Sequence, residues 1–355
     1  MESVGPPTLR DGKLRENKVS SSQVSLMGAQ MTQAKLTMAL SHYDRHIPLF
    51  DGSVRAEGAD IEVLEVGQSN PLRHGQDRHE RMLQRGEFDI CELSLSNYLV
   101  AKSRNMPFTA IPVFPRRLFS LSQMWVNKDS GISSPKDLIG RKVGLSTFQT
   151  TLSVLARGDL QAEYGVPWRE IDWYISKDEA VPLKPLDGVR MQLLKSGQKI
   201  GAMVKNGEID ALMMPHPPKE ALSAGSNIRR LFTDPKAEEA RYFRKNGYYP
   251  IMHLIAFKDE ILKNEPGLAI SVRDAFDRAK RACMEYYDDP NWSRFVWGRH
   301  LFEEEREVFG DDPWPNGLKR NRANLERFID YSTDQGLLAR KLTVEELFAP
   351  NTLDI

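Results

Sequence analysis

Two lobes of α/β structure facing each other across a ligand cleft are what this sequence predicts, and three observations predict it. The first is size: 355 residues exceed one compact core, because a domain takes roughly 150. The second is rhythm. From Lys35 onward short apolar runs alternate with helical periods, the pattern of strands interleaved with helices. The third is an internal echo. Arg85-Gly-Glu-Phe-Asp-Ile90 and Asn206-Gly-Glu-Ile-Asp-Ala211 both read as a helix closed by glycine, then Glu-apolar-Asp, then a strand. Leu40-Ser-His42 and Leu145-Ser-Thr147 form a second pair, each a polar turn just after a strand. The two pairs are unequally spaced, so similar βα units recur in both lobes with an insertion in one.

Residues 1–34 are rich in Ser, Gln, Gly, Pro and Lys and hold no apolar run fit for a secretory signal,. They are expected to form a disordered extension, with Met27 and Met31 as alternative starts. Strands are expected at Leu36–Leu40, Ile61–Val66, Ile90–Leu93, Thr109–Val113, Gln123–Val126, Lys142–Leu145 and Ala211–Met214. A helix is expected from Thr151 to Tyr164, with Gly165 as its left-handed cap,. The clearest helix spans 268–287, where Leu268, Val272, Ala275, Phe276, Ala279, Ala282, Cys283 and Tyr286 recur at three- and four-residue steps,. That stripe is core, and Cys283 belongs to it.

Composition narrows the partners. Forty-nine basic residues balance forty-nine acidic ones, so nothing favours nucleic acid or an anionic membrane surface. A small molecule is the expected ligand. Two cysteines, Cys91 and Cys283, allow no disulfide framework and no four-thiolate metal site, and they suit a reducing, cytoplasmic setting. The apolar run Tyr249–Phe257 covers nine residues, short of the ~20 that span a bilayer. Oligomeric state is not legible, and a homo-oligomer is compatible with everything above.

In open α/β sheets ligands bind beyond the carboxyl ends of the strands. Four turns meet that description: Ser41–His46, Glu92–Asn97, Ser146–Thr151 and Pro215–Pro218. They put His42, His46, Glu92, Ser94, Ser146, Thr147, Thr150 and His216 at the cleft. His42 and His46 stand four apart, the spacing of a zinc pair on a helix. With Pro48 close by and no third ligand evident, a hydrogen-bonding or acid/base role is expected instead, and no metal. Arg116 and Arg117 follow a strand beside Phe114 and Phe119, and a guanidinium fork grips a carboxylate bidentately. Ser146, Thr147 and Thr150 precede a helix, where backbone amides attract anions and hydroxyls cap or donate. His253 lies in an apolar run expected to cross between the lobes, and an imidazole titrates near neutrality. Glu92 follows Cys91 at a strand end; desolvated there, its pKa would rise and it could hold a proton, and ordinary capping is the alternative reading. Gly-x-Gly-x-x-Gly, Walker and Gly-x-Ser-x-Gly sequences are missing, so neither nucleotide binding nor a serine hydrolase is supported.

Read together, several of these strings resemble the 4,5-dihydroxyphthalate decarboxylase family. They are Leu40-Ser-His-Tyr-Asp44, Leu49-Phe-Asp-Gly52, Gly86-Glu-Phe-Asp-Ile-Cys-Glu-Leu-Ser94, Pro112-Val-Phe-Pro-Arg-Arg117, Asp137-Leu-Ile-Gly-Arg-Lys-Val-Gly144, Gly207-Glu-Ile-Asp-Ala-Leu212 and Tyr249-Pro-Ile-Met-His253. The resemblance covers about residues 35 to 350. It implies the type II periplasmic-binding-protein-like fold, with crossings near Ser120–Val126 and Gly247–Phe257 and a first lobe completed by the C-terminal helices. Residues 35–122 and 254–355 then form one lobe and 123–253 the other. It also implies release of carbon dioxide from a dihydroxylated aromatic dicarboxylate, giving protocatechuate, with no organic cofactor.

The chemistry can be argued from the reaction itself. Direct loss of carbon dioxide from an aryl ring leaves an unstabilised carbanion, so protonation of the carboxylate-bearing carbon comes first, driven by a para hydroxyl. Such a site needs an acid at that carbon, a group on the phenol and a cationic clamp on the spectator carboxylate. His253 or Glu92 is expected as proton donor, His46 or His42 on the hydroxyls, Arg116 or Arg117 as clamp, and Thr147 and Thr150 on the other oxyanion. A solute-binding protein of the same fold is the main rival. Thiamine-pyrimidine synthesis on this fold uses a cysteine-rich metal motif that is missing here. A transcription regulator would need a helix-turn-helix before residue 35.

Overall fold

A computed structural model describes residues 35–67 and 77–354; the extension expected over residues 1–34 lies outside the described residues. The chain opens with β1 (Leu36–Leu40), α1 (Ile47–Phe50), β2 (Ile61–Glu65), α2 (Arg78–Arg85), β3 (Ile90–Ser94), α3 (Leu95–Ser103) and β4 (Phe108–Arg117). It crosses and continues through β5 (Met124–Asn127), β6 (Lys142–Leu145), α4 (Thr151–Tyr164), β7 (Asp172–Ile175), β8 (Met191–Leu193), α5 (Ile200–Lys205), β9 (Ala211–Met213), α6 (Lys219–Leu222), β10 (Ile228–Arg230) and α7 (Pro235–Asn246). It returns as β11 (Ile251–Lys258) and ends with α8 (Asp259–Asn264), α9 (Leu268–Tyr286), α10 (Gly298–Phe309) and α11 (Arg322–Asp334).

Two sheets result, ordered β2-β1-β3-β11-β4 and β10-β5-β9-β6-β7-β8. Reversing the second gives β7-β6-β9-β5-β10 with β8 added outside β7, so each lobe repeats the other. In both, the fourth strand runs antiparallel to its neighbours and is supplied by a chain segment arriving from the opposite lobe: β11 in the first sheet, β5 in the second. The two linkers, 118–123 and 247–250, touch where Leu118 N–H donates to the Pro250 carbonyl at 3.0 Å. His253 is therefore the third residue of β11, inside the first sheet.

The sequence echo has a physical basis. Gly86 closes α2 at φ 57°, and Gly207 follows α5 at φ 77°, backbone that a side chain would strain. Three residues on, Asp89 accepts the Thr37 N–H at 2.9 Å, and Asp210 accepts the Lys142 N–H at 2.9 Å. Each aspartate thus ties the start of its own strand, β3 or β9, to the parallel neighbour beside it, β1 or β6.

Helix α9 covers the first sheet, setting Leu268, Ala269, Val272, Ala275, Phe276 and Ala279 against Met38, Leu40, Ile90, Val113, Ile255 and Phe257. Cys283 is buried there, as its place in the stripe predicts. Helix α4 is buried from Thr151 to Leu160 and ends at Gly165 with φ 65°. Helix α9 packs on the first sheet, and α11 lies along α4. Gln335, just past α11, accepts the Arg157 guanidinium at 2.7 and 3.0 Å, and Asp334 accepts the Trp168 indole N–H at 2.8 Å.

Candidate active site

At the edge of the first sheet facing the second, five segments converge: the turn after β1, the start of α2, β3, the end of β4 and the start of β11. Glu92 is at their centre, with no solvent exposure. Its carboxylate accepts the Ser41 backbone N–H at 2.9 Å, the Tyr43 hydroxyl at 3.2 Å, the Arg78 guanidinium at 2.7 Å and the His253 Nδ1–H. Burial alone would raise this carboxyl's pKa, but the Arg78 charge and then the His253 hydrogen bond overcome burial and hold it well below the usual range,. The sequence expectation of a protonated Glu92 is corrected: an acid so paired is an anion and has no proton to give.

Arg78 completes the pair from the first residue of α2. Its Nε donates to the Glu92 carbonyl at 2.7 Å, and Nη1 donates to the Ser41 hydroxyl at 2.7 Å and the Val66 carbonyl at 2.9 Å. A buried charge is tolerated only when paired and hydrogen-bonded in this way. His253 is pushed down to about 3 by burial, against the pull of Glu92 and with the help of Arg116 and Arg78. It is neutral near pH 7. Because ionised Glu92 can only accept, the His253 proton sits on Nδ1 and the lone pair on Nε2. His79 packs edge-on at 5.2 Å from the His253 ring, and its Nδ1 accepts the Ser94 N–H at 3.3 Å. Burial, Arg78 and His253 keep it neutral too.

The remaining expected residues divide. Arg116 stands opposite His253 in the β4–β11 register and is half-buried. Ser94 reaches the other lobe, its hydroxyl 2.9 Å from that of Thr151. His216, from the loop after β9, is solvent-exposed; partial burial and then the Arg116 charge lower its pKa, which puts Arg116 and His216 within electrostatic reach across the lobes. Arg117 does not join them. Successive strand residues face opposite ways, and its buried guanidinium donates to the carbonyls of Tyr249 and Pro315 and to Asn321 Oδ1, each at 2.6 Å. It is a structural tie, and the expectation of a clamp there is corrected. His46 is also turned away: its Nδ1 meets the Ser41 carbonyl at 2.8 Å and its ring stands edge-on to Phe276 of α9 at 5.4 Å. Exposed His42 leans on Phe50 at 5.0 Å with Glu65 3.9 Å away, outside the cluster.

The turn before α4 is corrected as well. Its amides were expected to receive a substrate oxyanion, yet Phe148 and Gln149 donate at 2.5 and 3.0 Å to the carboxylate of Glu179. The hydroxyls are spent locally. Thr147 Oγ1 accepts the Thr150 N–H at 3.1 Å, and Thr150 Oγ1 donates to the Thr147 carbonyl at 3.0 Å and meets Ser153 Oγ at 2.8 Å. The Ser146 carbonyl ties β6 to β7 by accepting N–H groups of Ser176 and Lys177, both at 3.1 Å. Sequence reasoning missed Arg78, His79 and Tyr43. The available signal was an arginine and a histidine on the one face of α2 that also carries buried Met82 and Leu83.

Among the described residues no group of three or more His, Cys, Asp or Glu is placed to hold a metal ion. No described helix is long and apolar enough to cross a membrane.

Comparisons with known proteins fit this architecture. A family model described as NMT1/THI5 like matches residues 57–166. Two solved binding proteins share the fold. The alkanesulfonate-binding protein of Xanthomonas axonopodis pv. citri, bound to MOPS, superposes with a TM-score of 0.51 at 13% identity over 90% of this chain and 98% of its own. The periplasmic aliphatic sulphonate binding protein of Escherichia coli gives 0.51 at 14% identity, over 90% and 98%. They show the fold alone: two α/β lobes of the periplasmic-binding-protein type with a cleft between. Two curated relatives reach further. Both are named 4,5-dihydroxyphthalate decarboxylase; that of Pseudomonas putida is 29% identical over 61% of this chain and 84% of its own. That of Comamonas testosteroni is 31% identical over 333 residues, which are 91% of this chain and 99% of its own. On that full-length match, the chain belongs to the 4,5-dihydroxyphthalate decarboxylase family.

Proposed function

We propose that this protein is a carboxy-lyase that converts 4,5-dihydroxyphthalate to protocatechuate and carbon dioxide. The observation that supports the reading is the buried Arg78–Glu92–His253 array beside Arg116, in a chain 31% identical over 91% of its length to an enzyme of that name.

The array fits a proton-transfer role. Glu92 fixes the His253 tautomer, so Nε2 is the atom left for a ligand. A doubly anionic substrate favours the charged imidazole where burial alone forbids it, so His253 takes up a proton as the substrate docks. Nε2–H then delivers that proton to the ring carbon bearing the leaving carboxylate, while the para hydroxyl stabilises the resulting cation. The C–C bond breaks, its electron pair restores the ring, carbon dioxide leaves and His253 is again neutral. Arg116 grips the spectator carboxylate, and His216 closes on the hydroxyls from the second lobe. No step calls for a redox cofactor, since the substrate is neither oxidised nor reduced. A cytoplasmic setting belongs to the same proposal, supported by two buried cysteines outside any disulfide.

Purified protein given 4,5-dihydroxyphthalate should release one carbon dioxide per protocatechuate formed. His253→Gln should fold and lose ~10²–10⁴-fold in kcat with KM little changed, the usual worth of a positioned acid. Tight binding of the compound without turnover by the wild type would instead assign the protein to solute binding, as its fold neighbours are.

A further inference from the structure

The stretch of β4 just before Arg116 is not held by its sheet, although Arg116 and Arg117 pair with β11. His253 pairs with Arg116 and Ile255 with Ile111, so residues 112–115 of β4 bulge away opposite Leu254 alone. Two prolines explain the bulge: Pro112 and Pro115 have no N–H to give to a ladder. Substitute anchors take over on the outer side. The Pro112 carbonyl accepts the Gly317 N–H at 2.8 Å, and the Phe114 N–H donates to Asn316 Oδ1 at 2.9 Å. The Pro115 carbonyl, immediately before Arg116, accepts both the Nε, at 2.9 Å, and the Nη2 of Arg45.

Arg45 is built to stay where it is. Its guanidinium lies between two rings, 4.3 Å from the centre of Tyr43 and 4.1 Å from that of Trp314. Nη1 donates to Asp44 Oδ1 at 3.2 Å, and Asp44 Oδ2 accepts the hydroxyl of Tyr287, the residue that caps α9, at 2.5 Å. One planar cation therefore joins the turn after β1, the bulge of β4, the segment around Trp314 and, through Asp44, α9. Lysine offers neither the two-faced stack nor the paired donors.

We propose that Arg45 is the positioning residue for Arg116: by fixing the Pro115 carbonyl at a bulge the sheet cannot brace, it aims the Arg116 guanidinium at the carboxylate of an aromatic dicarboxylate. The inference rests on the clamp role given to Arg116 above, and it is tested without relying on turnover. The probe is phthalate, which has both carboxylates and lacks the hydroxyls that decarboxylation needs. Its Kd is measured by titration calorimetry for the wild type, Arg45→Lys, Arg116→Gln and the double variant.

Arg45→Lys should weaken phthalate about tenfold in the wild-type background and less than about twofold in the Arg116→Gln background, the signature of two residues acting as one. With 4,5-dihydroxyphthalate it should raise KM by the same factor and leave kcat within about twofold. Trp314→Leu, which removes one face of the stack and leaves the hydrogen bonds, should give a smaller loss with the same dependence on Arg116. Equal losses in both backgrounds, a loss confined to kcat, or a wild type that ignores phthalate would overturn the inference. A wild type that binds phthalate but releases no carbon dioxide from the dihydroxy compound would defeat the decarboxylase reading and leave the Arg45–Arg116 coupling standing.

Discussion

Buried imidazoles make this protein sensitive to mild acid: His46 and His253, and beside them His79, which burial holds low as well. Burial pushes His46 down to about 4, with Arg45 adding to the effect, and His253 down to about 3. In the unfolded chain each titrates near ~6.5. Between that value and its folded pKa, the unfolded chain binds a proton that the folded chain refuses, so stability rises with pH across the window and is flat above it. At pH 5 each site should cost about 2 kcal/mol relative to pH 7.5. Urea unfolding at both pH values checks this: His46→Gln should show a pH-dependent loss smaller than that of the wild type by about the same amount. Equal losses in the two proteins would mean that His46 titrates normally in the folded state. The residue scale is also where the sequence was least legible. Glu92 could be placed at a strand end and His253 within a crossing strand from the apolar runs around them, but the sign of the Glu92 shift could not. That sign depends on Arg78, which lies on another element. Likewise Arg116 and Arg117 look equivalent in the sequence, and only the pleat of β4 sends one toward His253 and the other into a web of carbonyls.

Helix α4 shows how one missing side chain can fix the packing of two elements. A Cβ added at Gly158 would meet the Tyr331 ring of α11 at 2.1 Å. That ring is itself pinned, because Arg327 Nε donates to its hydroxyl at 2.6 Å and the hydroxyl donates to Asp159 at 3.3 Å. Gly158→Ala should therefore lower stability by about 1–3 kcal/mol, the range for overpacking, even though alanine in a helix interior ordinarily gains ~0.5–1 kcal/mol over glycine. Chemical denaturation decides it, and a net gain would show that α11 rolls aside. Elements with a clean period were readable: β1, β6, α4 and α9 fall at or within a residue of their expected bounds. Strands β7, β8 and β10 were not foreseen. All three of β8's residues are exposed at a sheet edge, and β10 is one isoleucine and two arginines, so neither carries an apolar run to read.

For the molecule as a whole, a shared core governs how it comes apart. One apolar cluster joins Leu93, Tyr98 and Phe114 of the first lobe to Val143, Leu145 and Trp173 of the second, so neither lobe melts without exposing the other's core. Scanning calorimetry should give one transition whose calorimetric and van't Hoff enthalpies agree, and two resolved peaks would contradict this. Lobe pairing was legible because the Gly-Glu-x-Asp echo marks the same stitch twice. The partnership of α11 with α4 was not, since no local pattern says which lobe a C-terminal helix will choose.

The return of β11 to the first sheet limits what can be done with the gene. A stop codon or cut near residue 120 would split the first sheet: the N-terminal piece would keep β1–β4 with a bare slot where β11 belongs, and the C-terminal piece would keep the second sheet whole but carry β11 unpaired,. Neither piece would be a usable half-enzyme, and function would return only if both were made together and annealed.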